Sequence, residues 1–147
     1  MAEDFAVLVR GECPGSKVEV LDMSELGVGE WSPAPGEVTV FFVATWDDGE
    51  PCIDAQPFFA ALRYATPAAA ALFAARRFAV CGLGSSAYPV SYQAAAFSLS
   101  ESLRALGALE ICPVGEEDDV FPRLGYTSFS ASVLPALSDP APPIESP

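Results

Sequence analysis

The run Val38-Thr39-Val40-Phe41-Phe42-Val43-Ala44 is continuously β-branched and aromatic apart from its last residue. A strand with one wet face alternates apolar and polar positions, so this run predicts a parallel strand covered on both faces. Phe78-Ala79-Val80-Cys81 has the same character and leads directly into Gly82-Leu83-Gly84-Ser85-Ser86; Leu109 to Val114 is a further strand candidate, stopping at Gly115. Lys17 to Met23 alternates instead, with Val18, Val20 and Asp22 on one face, and reads as a modest strand. Between these runs the pattern is helical. A short helix is expected over Glu3 to Arg10, a helix-rich stretch over Asp54 to Arg77 broken at Pro67, a helix over Val90 to Leu106 closed by Gly107, and a last short helix over Phe129 to Leu137. Gly27 to Gly36, with Pro33 and Pro35, reads as a loop. The sequence shows no internal repeat and divides into one domain over 1–137 and a Pro-rich acidic tail or linker stub over 138–147.

Strands alternating with helices predict an α/β fold with a parallel sheet and right-handed crossovers. Ligands of such sheets bind outside the carboxyl ends of the strands, so function is to be read in the loops there. Three loops qualify: Ala44 to Pro51, Gly82 to Pro89, and Gly115 to Asp119. Trp46 and Tyr88 each place a planar ring in one of them, and two rings can sandwich a flat ligand, at about 1 to 3 kcal/mol per ring by the nucleobase scale. Taken singly, a ring at either position is more often a partly buried packing residue than a ligand platform. Gly82-Leu83-Gly84 lacks the third glycine and the distal acid of a dinucleotide fingerprint, and no phosphate-binding Gly-x-x-x-x-Gly-Lys-Ser/Thr occurs.

Composition narrows the chemistry. The 147 residues are 51% hydrophobic and 18% charged, ample for one packed core. A net charge of −13 is the wrong sign for gripping a phosphate backbone, so direct nucleic-acid binding is not expected. The absence of histidine removes the usual general base and the imidazole metal ligand. Cys13, Cys52, Cys81 and Cys112 form no Cys-x-x-Cys pair and read as reduced thiols, with Cys81 and Cys112 as small core hydrophobes. The acidic start Met1-Ala2-Glu3-Asp4 does not spell a signal peptide, and the Ala-rich stretch from Thr66 to Ala75 is too short and interrupted to span a membrane, so the expectation is a cytoplasmic chain without membrane attachment.

Ala44-Thr45-Trp46-Asp47-Asp48-Gly49-Glu50-Pro51, then Phe78 through Tyr88, then Leu106-Gly107-Ala108 leading to Gly115-Glu116-Glu117-Asp118-Asp119, resemble an FMN-binding flavodoxin-like domain in order and spacing, over about Ala2 to Asp119. Two branches compete: the diflavin reductases and the flavodoxin part of the tRNA wybutosine-synthesis enzymes, the 4-demethylwyosine synthases. Three residues, Pro89, Val90 and Ser91, separate Tyr88 from Tyr92, and Trp46-Asp47-Asp48-Gly49 and Ser85-Ser86-Ala87-Tyr88 also resemble the wybutosine branch more closely.

The resemblance implies a flavodoxin-like three-layer sandwich with a parallel sheet. It implies FMN as cofactor, held by Thr45, Trp46 and Gly49 on one side of the ring, by the backbone of Gly82, Leu83, Gly84 and Ser85 at its edge, and by stacking of Tyr88; Asp118 matches the acid of the third loop. Ser85 departs from the Asn common at its position. The stretch Ala2 to Ala6 resembles the segment immediately after the family's phosphate loop, so the first strand and that loop are expected to be missing, the strand's place being between Lys17 to Met23 and Val38 to Ala44. The function implied is electron transfer by a module of an oxidoreductase or tRNA-modifying enzyme, serving a redox partner or a fused domain such as a radical S-adenosylmethionine domain. No cysteine triad for that radical chemistry occurs, so the chain is not expected to be a complete catalyst. The alternatives are a truncated flavodoxin-like fragment that does not hold FMN, and the FMN domain of a diflavin reductase. Asp47, Asp48, Glu50, Asp54 and Glu116 to Asp119 are expected to crowd one edge, as a solvated face or as a field steering a basic partner.

Overall fold

The computed structural model describes residues 1–25, 36–46 and 48–138. Two long strands make its centre. β1 (Val38–Ala44) pairs in parallel with β2 (Arg77–Gly84) over seven residues, Val38 opposite Arg77 and Ala44 opposite Leu83. The other side of β2 is covered in two pieces, β3 (Leu109–Glu110) beside Arg77 and Phe78, and β4 (Gly115–Asp118) beside Cys81 to Gly84. The interruption falls around Pro113, which has no amide to donate to a ladder. Helices α1 (Ala2–Glu12), α2 (Gln56–Arg63), α3 (Pro67–Phe73), α4 (Ala94–Ala105) and α5 (Leu124–Ser138) surround the sheet.

Alternation along the strands sends side chains to two apolar layers. Phe41, Val43, Phe78 and Val80 pack with Phe58 and Leu62 of α2, Phe73 of α3 and Leu99 and Leu103 of α4. Ala79 and Cys81 pack on the opposite face with Phe5 and Val9 of α1 and Phe129 and Val133 of α5, and Val40 and Phe42 join them. Both faces of β1 and β2 are thus covered, which is why their sequences carry no polar alternation. The result is the expected α/β sandwich with a parallel sheet.

Several boundaries differ from expectation. Residues 16–22 form no strand, and a single 3-10 turn follows at Met23–Glu25. Alternation alone cannot hold a strand without a ladder partner, and no described strand pairs with this segment. β2 runs on through Gly84, so the second loop starts later than Gly82. The helix expected from Val90 begins at Ala94, because turns occupy the preceding residues and Gln93 takes a left-handed conformation (φ 57°). The acidic group expected as a loop is largely strand β4, and α5 begins at Leu124, earlier than Phe129. Most of the loop expected over Gly27 to Gly36 and of the tail expected from Ser138 lies outside the described residues.

Candidate ligand cavity at the carboxyl edge of the sheet

The ends of β1, β2 and β4 are tied to one another by hydrogen bonds. The Thr45 amide donates to the Leu83 carbonyl (3.0 Å), and the Asp119 amide to the Gly84 carbonyl (3.0 Å). In the first loop the Trp46 amide donates to the Glu50 carbonyl (2.8 Å) and the Gly49 amide to the Trp46 carbonyl (2.9 Å), with Thr45 and Pro51 forming an antiparallel bridge. Gly49 closes this turn at φ +86°, a conformation that side chains other than glycine rarely adopt. Thr45 does more than line the edge: its Oγ1 accepts the Ala95 amide at 3.1 Å, supplying α4 with a cap from another loop, since Gln93 makes no capping bond.

The second loop is pinned by the third. Asp118 Oδ1 accepts the amides of Ser86 and Val120, each at 3.0 Å, and bonds from the Ser86 hydroxyl and amide hold this carboxyl below the usual carboxylate range. Its buried neighbour Glu117 accepts the Arg123 amide (2.8 Å) and the Tyr126 amide (2.9 Å), satisfying the N-terminus of α5. Two of the acids expected on a solvated face therefore turn inward as ligands for backbone amides. Asp48, Glu50, Glu116 and Asp119 remain exposed, and Asp47 lies outside the described residues.

These loops enclose a cavity of about 420 Å³. Thr45, Trp46, Leu83, Gly84, Ser85 and Tyr88 line it, so six of the nine residues expected at the site come together there. Trp46 is 45% exposed and Tyr88 54% exposed, leaving both rings accessible rather than consumed in the core. The other three stand behind the wall. Gly82 is buried inside β2, where a methyl group would sit 2.2 Å from Gln93 Oε1 and 2.7 Å from Ala96 Cβ; its smallness serves the packing of α4. Gly49 shapes the first loop, and Asp118 holds the second.

The sequence reading did not single out Gln93 and Tyr92, which also line the cavity. Gln93 is fully buried, donates from Nε2 to the Glu117 carbonyl at 2.9 Å, and leaves Oε1 buried without a hydrogen-bond partner. The paired glycines Gly82 and Gly84, each within contact of this amide, are the sequence trace of it. Burial pushes the Tyr92 hydroxyl up, an effect that the Gln93 side chain opposes and the charges of Glu116, Asp118 and Glu117 reinforce. Met1, the N-cap of α1, lines the cavity too, and that helix has no side-chain cap, so the positive end of a helix reaches the cavity margin. No Lys or Arg lines it among the described residues, and these contain no group of His, Cys, Asp and Glu able to hold a metal ion.

The cysteines take no part in this edge. Burial pushes the Cys81 thiol up to about 12 and the Cys112 thiol to about 11, with the charge of Glu117 adding to the first, so both stay protonated and packed near neutral pH.

The cavity lies at the carboxyl ends of the parallel strands, the edge where α/β sheets of this kind bind their ligands. The flavodoxin family model matches residues 2–122, and the chain belongs to that family. It is similar to an S-adenosyl-L-methionine-dependent tRNA 4-demethylwyosine synthase of Oryza sativa subsp. japonica, 57% identical over 51 residues covering 35% of this chain and 8% of the relative. The synthase of the same description from Arabidopsis thaliana is 40% identical over 88 residues, covering 57% of this chain and 14% of the relative. The chain thus matches only a small part of these long relatives. Among solved structures, a cysteine-to-serine mutant of flavodoxin from Pseudomonas aeruginosa superposes with a TM-score of 0.72 at 23% identity, over 95% of this chain and 92% of that one. Oxidised flavodoxin 1 from Bacillus cereus does so with a TM-score of 0.66 at 20% identity, over 92% and 88%.

Proposed function

We propose that this chain is an FMN-binding electron-transfer domain, corresponding to the reductive module of a tRNA wybutosine-synthesis enzyme. The observation that carries the reading is the cavity between two accessible rings, Trp46 and Tyr88, at the carboxyl edge of a flavodoxin-family sheet. The residues present suit a flat heteroaromatic ring. Trp46 and Tyr88 would flank it, and the Gly84 and Ser85 backbone would meet its edge, with the buried Gln93 side chain packed against that strand. Among the described residues the cavity margin would offer a phosphate the positive end of α1 and no cationic side chain.

When bound, FMN supplies the redox chemistry, passing electrons to an acceptor. The chain's own part is to orient the ring, exclude water from one side of it and set its surroundings. The exposed carboxylates Asp48, Glu50, Glu116 and Asp119 would oppose added negative charge on the ring and attract a basic partner surface. The partner in this reading is a radical S-adenosylmethionine domain, fused or separate, in the cytoplasm. Among the described residues no helix is long and apolar enough to cross a membrane.

The competing reading is a flavodoxin-like domain that does not hold FMN. Titrating FMN with the purified chain while following flavin fluorescence separates the two. Stoichiometric quenching is the expected result; a folded chain that leaves the fluorescence unchanged would replace the first reading with the second.

A further inference from the structure

All three loops of the carboxyl edge meet one short stretch of chain, residues 91–95, where the second loop passes into α4. The Ala95 amide donates to Thr45 Oγ1 at 3.1 Å, and a side chain on Gly49 would meet Ser91 and Ala94 Cβ at 3.7 Å, so the first loop lies against this stretch. Gln93 joins it to the rest. Its side chain lies against Gly82 and Gly84 of β2, and its Nε2 donates to the Glu117 carbonyl of β4 at 2.9 Å. Gly84 stands opposite Asp118 in the ladder and its carbonyl accepts the Asp119 amide, so the last rung between β2 and β4 and the Gln93 bond close on the same segment, Glu117 to Asp119. Asp118 in turn holds the Ser86 amide of the second loop.

This arrangement is held at a cost. Gln93 is fully buried at a left-handed φ of 57°, a conformation uncommon for side chains other than Asn and Asp. Its Oε1 is buried without a hydrogen-bond partner, out of a ligand's reach. An apolar residue of similar size would fill the space without an orphaned oxygen. It would not supply the donor to the Glu117 carbonyl, and that bond is what distinguishes Gln93 from a packing residue. Any influence on a ligand is therefore indirect, through the strand ends that the side chain joins.

We propose that Gln93 is a positioning residue for ring binding. By bonding the Glu117 carbonyl it fixes the end of β2 against β4, and so fixes the backbone of Gly84 and Ser85 on the wall of the cavity that Trp46 and Tyr88 share. The inference rests on the FMN reading for its ligand, while the hold on the second loop is a property of the ligand-free chain. The strands that Gln93 joins carry the backbone at the ring edge, so its loss should weaken riboflavin and FMN by the same factor.

The test uses the full chain and two variants that keep a side chain at this position without reaching the carbonyl. Gln93→Met fills the space without a donor, and Gln93→Asn keeps the amide on a shorter stem and tolerates the left-handed backbone. Amide hydrogen exchange at Ser86 and Tyr88 in the free chain should be about fivefold faster or more in both variants. Affinity for riboflavin and for FMN, read by quenching of flavin fluorescence, should fall about tenfold or more, equally for the two, and the visible circular dichroism of the flavin at saturation should change. A residue that only stabilises the fold would lower the melting temperature and leave the dichroism of the saturated protein as in wild type; that result, unchanged affinity in folded variants, or failure of both variants to fold would overturn the proposal. A wild-type chain that binds neither flavin, with exchange still faster in the variants, would sink the FMN reading and leave the hold of Gln93 on the loop supported. Unchanged exchange would overturn that hold itself.

Discussion

Two concave regions of this sheet are built in opposite ways. At the carboxyl edge every loop is tied to another: Thr45 caps α4, Asp118 pins the second loop, Gln93 reaches the Glu117 carbonyl, and Glu117 holds α5. Along the outer side of β1 the lining mixes apolar residues with Lys17, Glu19 and Glu37, and the backbone groups of Val38, Val40 and Phe42 find no described ladder partner. A site fixed by directional bonds can hold a rigid ring in one orientation, whereas a region fixed mainly by apolar contact constrains orientation far less.

Breaking the tied edge should cost most. A Cβ on Gly125 would lie 1.9 Å from the Glu116 carbonyl oxygen, backbone that cannot swing aside, so Gly125→Ala should lose more than about 4 kcal/mol in urea unfolding or fail to fold. Glu117→Ala leaves the Arg123 and Tyr126 amides without their acceptor and should cost about 2 to 4 kcal/mol by the same measurement.

Acid and alkali probe the carboxyl edge and the core separately. The Asp118 carboxyl is held below its ordinary value of 3.8, so its contribution is complete above that pH and is lost as pH falls through the lowered value; Asp118→Asn should flatten that part of the acid limb. Cys81 is the reverse case. Its folded value lies above the ordinary 9.0, so its stabilisation is complete below pH 9 and declines toward pH 12, and Cys81→Ala should remove this alkaline loss in a pH series of melts.

Thr45→Val keeps the shape of the first loop but removes the α4 cap, and should cost about 1 kcal/mol by chemical unfolding. The smallest stability effect belongs to the rings. Trp46→Ala with Tyr88→Ala should change unfolding free energy by less than about 1 kcal/mol, because both rings are about half exposed and stand outside the two apolar layers.

Legibility in the sequence follows the same division. Val38 to Ala44 and Phe78 to Cys81 were readable as buried strands because both faces meet helices, and that leaves a one-dimensional signature. Trp46, Ser85 and Tyr88 were readable because they sit in loops after such strands. Glu117 and Asp118 were not, since an acidic run reads as solvated surface; what buries them is a set of amides, Ser86, Val120, Arg123 and Tyr126, which the fold supplies. Gln93 was hidden for the same reason, its partner being the Glu117 carbonyl 24 positions away. Lys17 to Met23 had the alternation of a strand, but pairing depends on a neighbour that alternation cannot encode.

The most direct test of the ring-binding account is a parallel FMN titration of the wild-type chain and the Trp46→Ala, Tyr88→Ala double variant, followed by quenching of flavin fluorescence. Stacking of about 1 to 3 kcal/mol per ring predicts an affinity at least about 30-fold weaker for the variant, with both proteins equally folded by circular dichroism. Equal affinities would contradict the account and place any flavin site away from these two rings.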